Sequence, residues 1–313
     1  MPKPKFLSKI MNTNPLVSIL IPTYNSAQYL AEALDSALAQ TYKNIEIIVH
    51  DDASTDATPH LLNQYHDPRL RMIRTTKNHG MIGGWNYIVA KAKGEYIKFL
   101  ASDDLLEPTC VDELVKAVLD HPTAALITCQ RKFVDGKGKV IKKMGFHSKS
   151  IVVDGVSHAK WILLTLRENL IGEPTAALYP TKAVKQAGQY DPQFSQFADF
   201  EYWIRLLQFG DLVYVHKPLC SFRIHATSNT SKAILDGRFI TEIFKLINKY
   251  YSPRLQAGKN PFNLTDSDKR YVTKLKILDT LKNIKDLLIQ GHLLRATRYT
   301  TKLIAGITNS SHQ

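Results

Sequence analysis

Short apolar runs of strand length alternate with helix-like segments through roughly the first 120 residues. The runs are rich in branched and aromatic residues, and they occupy residues 16–21, 45–49, 70–73 and 96–100. Between them, apolar residues recur every three to four positions, the spacing of one helix face. Asn25 and Gln28 have capping-box spacing and predict the start of the first helix. This alternation predicts an α/β fold with a Rossmann-like, mostly parallel central sheet flanked by helices.

The pattern is less regular beyond residue 121. A strand over 124–133 turns through Asp135 and Gly136 into a partner at 140–141, which predicts a hairpin. Further apolar segments predict helices over 157–166 and 199–209, and strands over 176–179 and 213–215.

From about Lys232 the chain consists of helical segments rich in lysine. In one of them, five apolar residues are predicted to share a face: Leu275, Leu278, Leu281, Ile284 and Leu288. Residues 259–313 hold ten Lys and Arg against four Asp. A basic amphipathic helix can lie on an anionic membrane. The alternative is a helical hairpin packed on the preceding domain, with a solvated basic outer face.

Composition narrows the class of partner. The chain has 313 residues and a formal net charge of +13, which favours an anionic partner such as a nucleotide, a nucleic acid or an acidic membrane surface. Its three cysteines, Cys110, Cys129 and Cys220, lack metal-ligand spacing and predict reduced, buried thiols in a cytosolic protein. We see no apolar signal segment and no run long enough to span a membrane.

Polar residues follow several of the predicted strands at the point where each strand ends. The pairs Asp51-Asp52 and Asp103-Asp104 end two strands, and Pro22-Thr23-Tyr24 ends a third. Parallel strand ends meet at one edge of a sheet, where open sheets bind ligands. Adjacent carboxylates repel each other, so a divalent cation on a diphosphate is a natural partner. The alternative for the second pair is that one acid caps the helix after Pro108.

Three ordered segments resemble those of family 2 glycosyltransferases, which are inverting, metal-dependent enzymes of the GT-A fold. The segments are residues 17–25 (VSILIPTYN), 49–56 (VHDDASTD) and 94–104 (GEYIKFLASDD). The resemblance covers about residues 15–230. It implies the following organisation: a tail over 1–14, a catalytic domain over 15–231 with a donor half (15–120) and an acceptor half (121–231), and a basic helical extension over 232–313.

The resemblance also implies roles for single residues. Those expected to bind the donor are Pro22, Tyr24, Asn25, Asp52, Asn86, Asp103, Arg223 and His225. Pro22 and Tyr24 would line the base pocket, and Asp52 would contact a uracil or thymine ring. Asp104 and His225 would hold Mn²⁺ or Mg²⁺ on the diphosphate. Asp199 would be the general base.

Two residues depart from the family pattern, and two assignments have alternatives. Ala198 replaces the Glu that usually precedes the base, which removes a carboxylate beside Asp199. His50 stands where an apolar residue is usual, and we interpret it as an imidazole held in the sheet. Asp199 could instead serve only as a helix N-terminal carboxylate. His225 could be a loop histidine away from the diphosphate.

The resemblance implies transfer of a sugar from a nucleotide-diphospho-sugar, in the first instance a UDP-sugar, to a hydroxyl of a glycan or lipid-linked glycan. We expect a role in cell-surface polysaccharide synthesis, in the cytoplasm or at the cytoplasmic face of the inner membrane. One alternative is a nucleotidyltransferase acting on sugar phosphates, although its usual Gly-rich loop is absent after Leu20-Ile21. A nucleic-acid-binding protein would also suit the charge, but no motif of that class is present and we expect no nucleic acid partner.

Overall fold

The structure is a computed structural model that describes residues 12–166, 169–226, 228–251 and 261–311. Its strands form one mixed sheet. They are β1 Val17–Thr23, β2 Ile45–Asp51, β3 Leu70–Arg74, β4 Tyr96–Phe99, β5 Leu105–Leu106, β6 Ala124–Val134, β7 Val140–Met144, β8 Ile151–Val153, β9 Ala177–Pro180 and β10 Asp211–Arg223.

Helices cover both faces of this sheet. They are α1 Leu30–Leu38, α2 Thr58–Leu62, α3 Gly80–Val89, α4 Cys110–Asp120, α5 Gly155–Thr165, α6 Thr181–Ala187, α7 Ala198–Leu206, α8 Asn229–Asp236, α9 Arg238–Tyr250, α10 Asp266–Ile289 and α11 Leu293–Ser311. A short 3₁₀ turn, Pro174–Ala176, precedes β9. Among the described helices, none is both long enough and apolar enough to cross a membrane.

The strands are ordered β3-β2-β1-β4-β9-β6-β10-β5, with β7 paired to β6 and β8 paired to β10. The predicted parallel arrangement of the first four strands is confirmed, because β1 pairs in parallel with β2 and β4, and β2 with β3. The second half is mixed: β9 is antiparallel to both neighbours, and β6 and β10 are parallel. The predicted hairpin of β6 and β7 is also confirmed.

The apolar runs are continuous because both faces of the central strands are buried. Successive side chains of a strand point to opposite faces. Accordingly, Ile19 and Ile21 belong to the buried cluster that includes α1 and α4, whereas Leu20 belongs to the cluster that includes α3, α5 and α7. The three cysteines are free and buried, as predicted.

The predicted capping box is wrong. Helix α1 begins at Leu30, and its N-cap residue Tyr29 makes no capping side-chain hydrogen bond. Asn25 instead has a left-handed backbone (φ 50°), and its side-chain oxygen accepts a hydrogen bond from the backbone N–H of Thr55 at 2.8 Å. This bond joins the loop after β1 to the loop after β2, which sequence spacing cannot reveal.

The C-terminal helices pack on the sheet domain. Phe244 of α9, Ile284 of α10 and Leu303 of α11 all belong to the cluster that contains Trp203 of α7. This is the arrangement of the packed-hairpin alternative. The face predicted for α10 is wrong, because α10 buries Val272, Lys276, Thr280 and Ile284. Of the five predicted apolar residues, Leu278, Leu281 and Leu288 are exposed.

Candidate active site

A cavity of about 680 Å³ opens at the carboxyl ends of β1, β2 and β4. Backbone hydrogen bonds hold these ends together, from Asp52 N–H to the Thr23 carbonyl at 2.9 Å and from Leu100 N–H to the Leu20 carbonyl at 2.9 Å. Most of the residues predicted for the site line this one cavity: Pro22, Tyr24, Asn25, Asp52, Asp103, Asp104, Asp199 and His225. The structure therefore brings together the three strand ends and the residue expected to be the base.

Asp104 lines the cavity and is almost fully buried. Its carboxylate accepts hydrogen bonds from the Thr175 hydroxyl at 2.6 Å and from the backbone N–H of Arg223 at 2.9 Å. Burial, and then the neighbouring charge of Asp103, raise the pKa of Asp104 well above its usual value. Helix α4 begins at Cys110 after Thr109, so neither acid caps it.

Asp103 is paired with His225. The carboxylate oxygen of Asp103 lies 2.8 Å from Nε2 of His225, whose ring also packs against Tyr29 with centroids 5.1 Å apart. His225 therefore lies in the loop after β10, beside the acid pair and among the residues that line the cavity.

Arg223 is buried beneath the acid pair and is not among the residues that line the cavity. Its Nε donates to the Asp103 carbonyl at 2.8 Å, and its terminal nitrogen lies 2.7 Å from a carboxylate oxygen of Glu32. The guanidinium also lies 4.5 Å from the centre of the Tyr29 ring. These contacts hold the loop that carries Asp103 and Asp104. The Arg223 side chain therefore lies in a different place from the direct contact with the donor that the sequence predicted.

Asp52 is held by the loop that follows β3. Its Oδ1 accepts hydrogen bonds from the Thr75 hydroxyl at 3.1 Å and the backbone N–H of His79 at 3.0 Å. Nδ1 of His79 lies 2.8 Å from the same oxygen. His50 is buried in the sheet edge, as expected, with Nε2 at 3.3 Å from the Thr75 hydroxyl. Burial lowers the pKa of His50, which disfavours its charged form.

Asp199 occupies the first turn of α7, opposite the acid pair along the cavity wall. Its carboxylate accepts hydrogen bonds from the Asn169 side chain at 2.8 Å and from the backbone N–H of Phe200 at 2.7 Å. Burial, and then the nearby charge of Glu173, raise the pKa of Asp199 to about 7. A carboxylate with such a pKa is suited to general base catalysis at neutral pH.

Glu173 is a cavity residue that the sequence reasoning missed. It forms an ion pair with the buried Arg131, whose terminal nitrogen also donates to the Asn169 carbonyl at 2.8 Å. A second carboxylate thus lies near Asp199 even though Ala198 removed the expected one. Glu173 is 26 positions before Asp199 and belongs to no matched segment, so only the fold reveals the pair.

Asn86 lies outside the cavity lining. Its side-chain amide donates to the Tyr190 carbonyl at 2.9 Å, and its oxygen accepts from the Tyr190 backbone N–H at 2.8 Å. The amide nitrogen and oxygen of Asn86 therefore both bind the backbone of Tyr190 and fix α3 to the segment before α7. The sequence had instead predicted that this side chain contacts the donor.

The residues predicted to hold a divalent cation fit one chemically. Asp104 is a buried carboxylate whose two hydrogen-bond donors are both uncharged, and a cation would stabilise its ionised form. With Asp103 and His225 it offers carboxylate oxygens and an imidazole nitrogen, a donor set that suits Mn²⁺. A second group, His50, Asp52 and His79, has ligand atoms within 4.8 Å of one another. Its carboxylate is already bonded to the loop after β3.

Comparison with known proteins identifies a matching sequence family and related sequences. The sequence model of a family described as "Glycosyl transferase family 2" matches residues 18–185. An uncharacterized glycosyltransferase of Rickettsia typhi is 33% identical over 227 residues, covering 71% of this chain and 68% of that protein. The chondroitin synthase of Pasteurella multocida is 28% identical over 280 residues, covering 87% of this chain but only 28% of the synthase.

Two solved structures share the fold. The crystal structure of S. aureus TarS 1–349 in complex with UDP-GlcNAc superposes with a TM-score of 0.64 at 20% identity, covering 82% of this chain and 70% of that one. The mannosyltransferase PcManGT of Pyrobaculum calidifontis, in complex with GDP-Man and Mn²⁺, gives a TM-score of 0.58 at 19% identity, covering 95% and 87%.

Proposed function

Because the chain belongs to glycosyl transferase family 2, we propose that it transfers a sugar from a nucleoside-diphosphate sugar to a hydroxyl group of a glycan or lipid-linked glycan. The observation that carries this proposal is the single cavity lined by Tyr24, Asp52, the acid pair and Asp199. Its lining runs from the strand ends, where we place the nucleotide, to the first turn of α7, where we place the acceptor. A UDP-sugar is our first candidate, supported by UDP-GlcNAc in the TarS structure.

We propose that Asp199 takes the proton of the acceptor hydroxyl. The acceptor oxygen forms a bond to C1 of the sugar while the bond from C1 to the diphosphate breaks, so one displacement inverts the anomeric centre. The pKa of about 7 lets Asp199 be ionised before the step and protonated after it. Its hydrogen bonds from Asn169 and Phe200 fix the carboxylate during the transfer.

The leaving diphosphate gains negative charge in the same step. Asp103, Asp104 and His225 would hold a divalent cation there, and Mn²⁺ in the PcManGT structure supports that choice over Mg²⁺ as a first test. Such a cation, when bound, supplies positive charge to the departing oxygens. Arg223 would keep the Asp103 segment in place through its hydrogen bond to the Asp103 carbonyl.

A donor screen tests the proposed reaction. We expect hydrolysis or transfer with one of UDP-, dTDP- and GDP-sugars in the presence of Mn²⁺. Asp199→Asn should lower transfer by about 10²–10⁴-fold, the usual effect of losing a general base. Asp120→Asn, at the exposed end of α4, is the matched control and should keep full activity. Transfer that survives Asp199→Asn, or no turnover of any of these donors, would contradict the proposal.

We further propose that the sheet and its helices up to about residue 231 form the catalytic domain, with donor and acceptor halves meeting near residue 120. The segment from 232 onward would be an extension that brings the enzyme to a lipid-linked acceptor at the cytoplasmic face of the inner membrane. The local excess of positive charge over residues 259–313 supports this location. The polysaccharide synthase among the relatives supports a role in cell-surface glycan synthesis.

A further inference from the structure

The turn between α10 and α11 displays four large aliphatic side chains to solvent. The exposed fractions are 51% for Leu288, 73% for Ile289, 66% for Leu293 and 80% for Leu294. We call these four residues the hairpin tip. Single exposed apolar residues are ordinary on a protein surface, but a contiguous apolar group of this kind marks an interaction site.

The backbone of the tip is well defined by hydrogen bonds. The N–H of His292 donates to the Leu287 carbonyl at 2.8 Å, and the N–H of Gly291 donates to the Leu288 carbonyl at 3.1 Å. These two bonds form a Schellman motif, and Gly291 supplies the left-handed residue that it requires, with φ at +78°. The tip is therefore presented by a fixed turn.

The base of the same hairpin is anchored to the domain. Ile284 of α10 and Ala296 and Tyr299 of α11 are buried in the cluster that includes α7 and α9. The Tyr299 hydroxyl also donates to the Ile234 carbonyl at 2.7 Å. The hairpin thus holds the tip at a fixed position relative to the sheet domain.

Basic side chains surround the tip. Lys282, Lys285 and Arg298 are exposed within two turns of it, Arg295 is partly exposed, and Asp286 is the one acid between residues 282 and 298. Four positive charges against one negative charge give this end of the hairpin a local charge of +3. Apolar side chains of this kind can contact the acyl chains of a bilayer, and the neighbouring lysines and arginines can contact its anionic headgroups.

We propose that the hairpin tip inserts into the interfacial layer of an anionic bilayer, with the surrounding lysines and arginines on the lipid headgroups. The contact is confined to the end of the hairpin and does not extend along α10. This inference deepens the membrane location proposed above, on which it rests, and it does not depend on the transfer reaction. It places the bilayer at one end of the hairpin of α10 and α11.

Vesicle sedimentation with the full chain tests the tip. We expect binding to phosphatidylcholine vesicles containing about a third phosphatidylglycerol, and little binding to phosphatidylcholine alone. Leu293→Ser with Leu294→Ser should weaken binding at least about tenfold, because the variant loses the apolar surface of two of the four tip side chains. The matched control is Leu278→Ser with Leu281→Ser, two exposed leucines on the flank of α10. This control should bind like the wild type.

Several results would overturn the inference. Unchanged binding of the tip variant, equal binding of the wild type to neutral vesicles, or an equal loss in the flank control would each do so. A wild-type dimer that the tip variant converts to monomer in sedimentation would show instead that a second copy covers the tip. Melting temperatures verify that both variants fold. Donor hydrolysis without vesicles is measured in parallel: its absence, with binding intact, would reject the transferase proposal and leave the tip standing.

Discussion

At the residue scale, the arrangement around Asp199 predicts the pH dependence of the reaction. The proposed base, Asp199, must be ionised, and its pKa is raised to about 7, so kcat/KM should rise with pH through an apparent pKa near 7. Glu173→Gln removes the nearby negative charge and should move this rise to lower pH. Glu113→Gln, a carboxylate of α4 paired with Lys217, is the control and should leave the profile unchanged. A profile of Glu173→Gln that coincides with the wild type would show that the two carboxylates do not interact.

Asp199 also contributes to the stability of the fold. This contribution decreases as pH rises, whereas the activity is expected to increase. The folded state holds the Asp199 proton more tightly than the unfolded chain, whose Asp has a pKa near 3.9. The contribution of Asp199 to the free energy of unfolding is therefore full below about pH 4 and is lost as pH rises toward 7. We expect the melting temperature of Asp199→Asn, relative to the wild type, to increase between pH 5 and pH 8. A constant difference across this range would contradict the raised pKa.

Arg223 is expected to act by positioning the acid pair. Arg223→Met keeps most of the side-chain volume but leaves the partly buried Asp103 carbonyl without its donor, which should cost about 1 kcal/mol of unfolding free energy. It should also raise the Mn²⁺ concentration needed for half-maximal activity, because the Asp103-Asp104 segment is no longer fixed. Titrating activity with Mn²⁺ checks this. Arg71→Met, on the exposed part of β3, is the control for loss of an arginine. An unchanged Mn²⁺ requirement would indicate that Arg223 is only structural.

At the element scale, the strand-end loops depend on Asn25. Its side chain bridges the loops after β1 and β2, and its backbone is left-handed, which Asn and Gly adopt more readily than other residues. Asn25→Gly should lose only the bridge, at about 0.5–1.5 kcal/mol, whereas Asn25→Ala should lose the bridge and add backbone strain. Chemical denaturation of both variants checks this order, and the donor KM should follow it. Equal stability of the two variants would show that the left-handed backbone of residue 25 does not affect stability.

Strands β1, β2 and β4 of the donor half could be predicted from the sequence because both faces of each are buried and each reads as a largely apolar run. The predicted GT-A fold is confirmed by the solved structures that share it. The ends of elements were less predictable. Strand β10 extends to Arg223, well beyond the predicted 213–215, because it continues to pair with β6 past two register irregularities that follow Val215 and break its apolar pattern. The packed face of α10 was missed because it buries Lys276 and Thr280 through tertiary contacts.

The site residues also fall into two groups. Some could be identified from the local sequence, and others only from the folded structure. Asp52 and the acid pair belong to contiguous segments that resemble the family, and the structure places them on one cavity with Asp199. Glu173 and Thr175 could not be found in this way, because each acts on a residue far along the chain through the 3₁₀ turn near β9. Asn86 and Arg223 occupy matched positions, yet their side chains are engaged by the protein itself.

At the scale of the whole molecule, a positively charged protein (+13) with a buried carboxylate, Asp104, beside a second acid, Asp103, should bind a metal and an anionic donor together. A ligand at 100 times its Kd stabilises the folded state by about 2.7 kcal/mol. At about 2–4 °C per kcal/mol, the melting temperature should rise by roughly 5–10 °C with UDP and Mn²⁺ combined. UDP with a chelator should give a much smaller rise. Asp104→Ala should abolish the difference between these two conditions, whereas Asp120→Ala should retain it. An equal rise with and without Mn²⁺ in the wild type would place the metal outside the donor site, and an Asp104→Ala variant that retained the difference would assign the metal to other ligands.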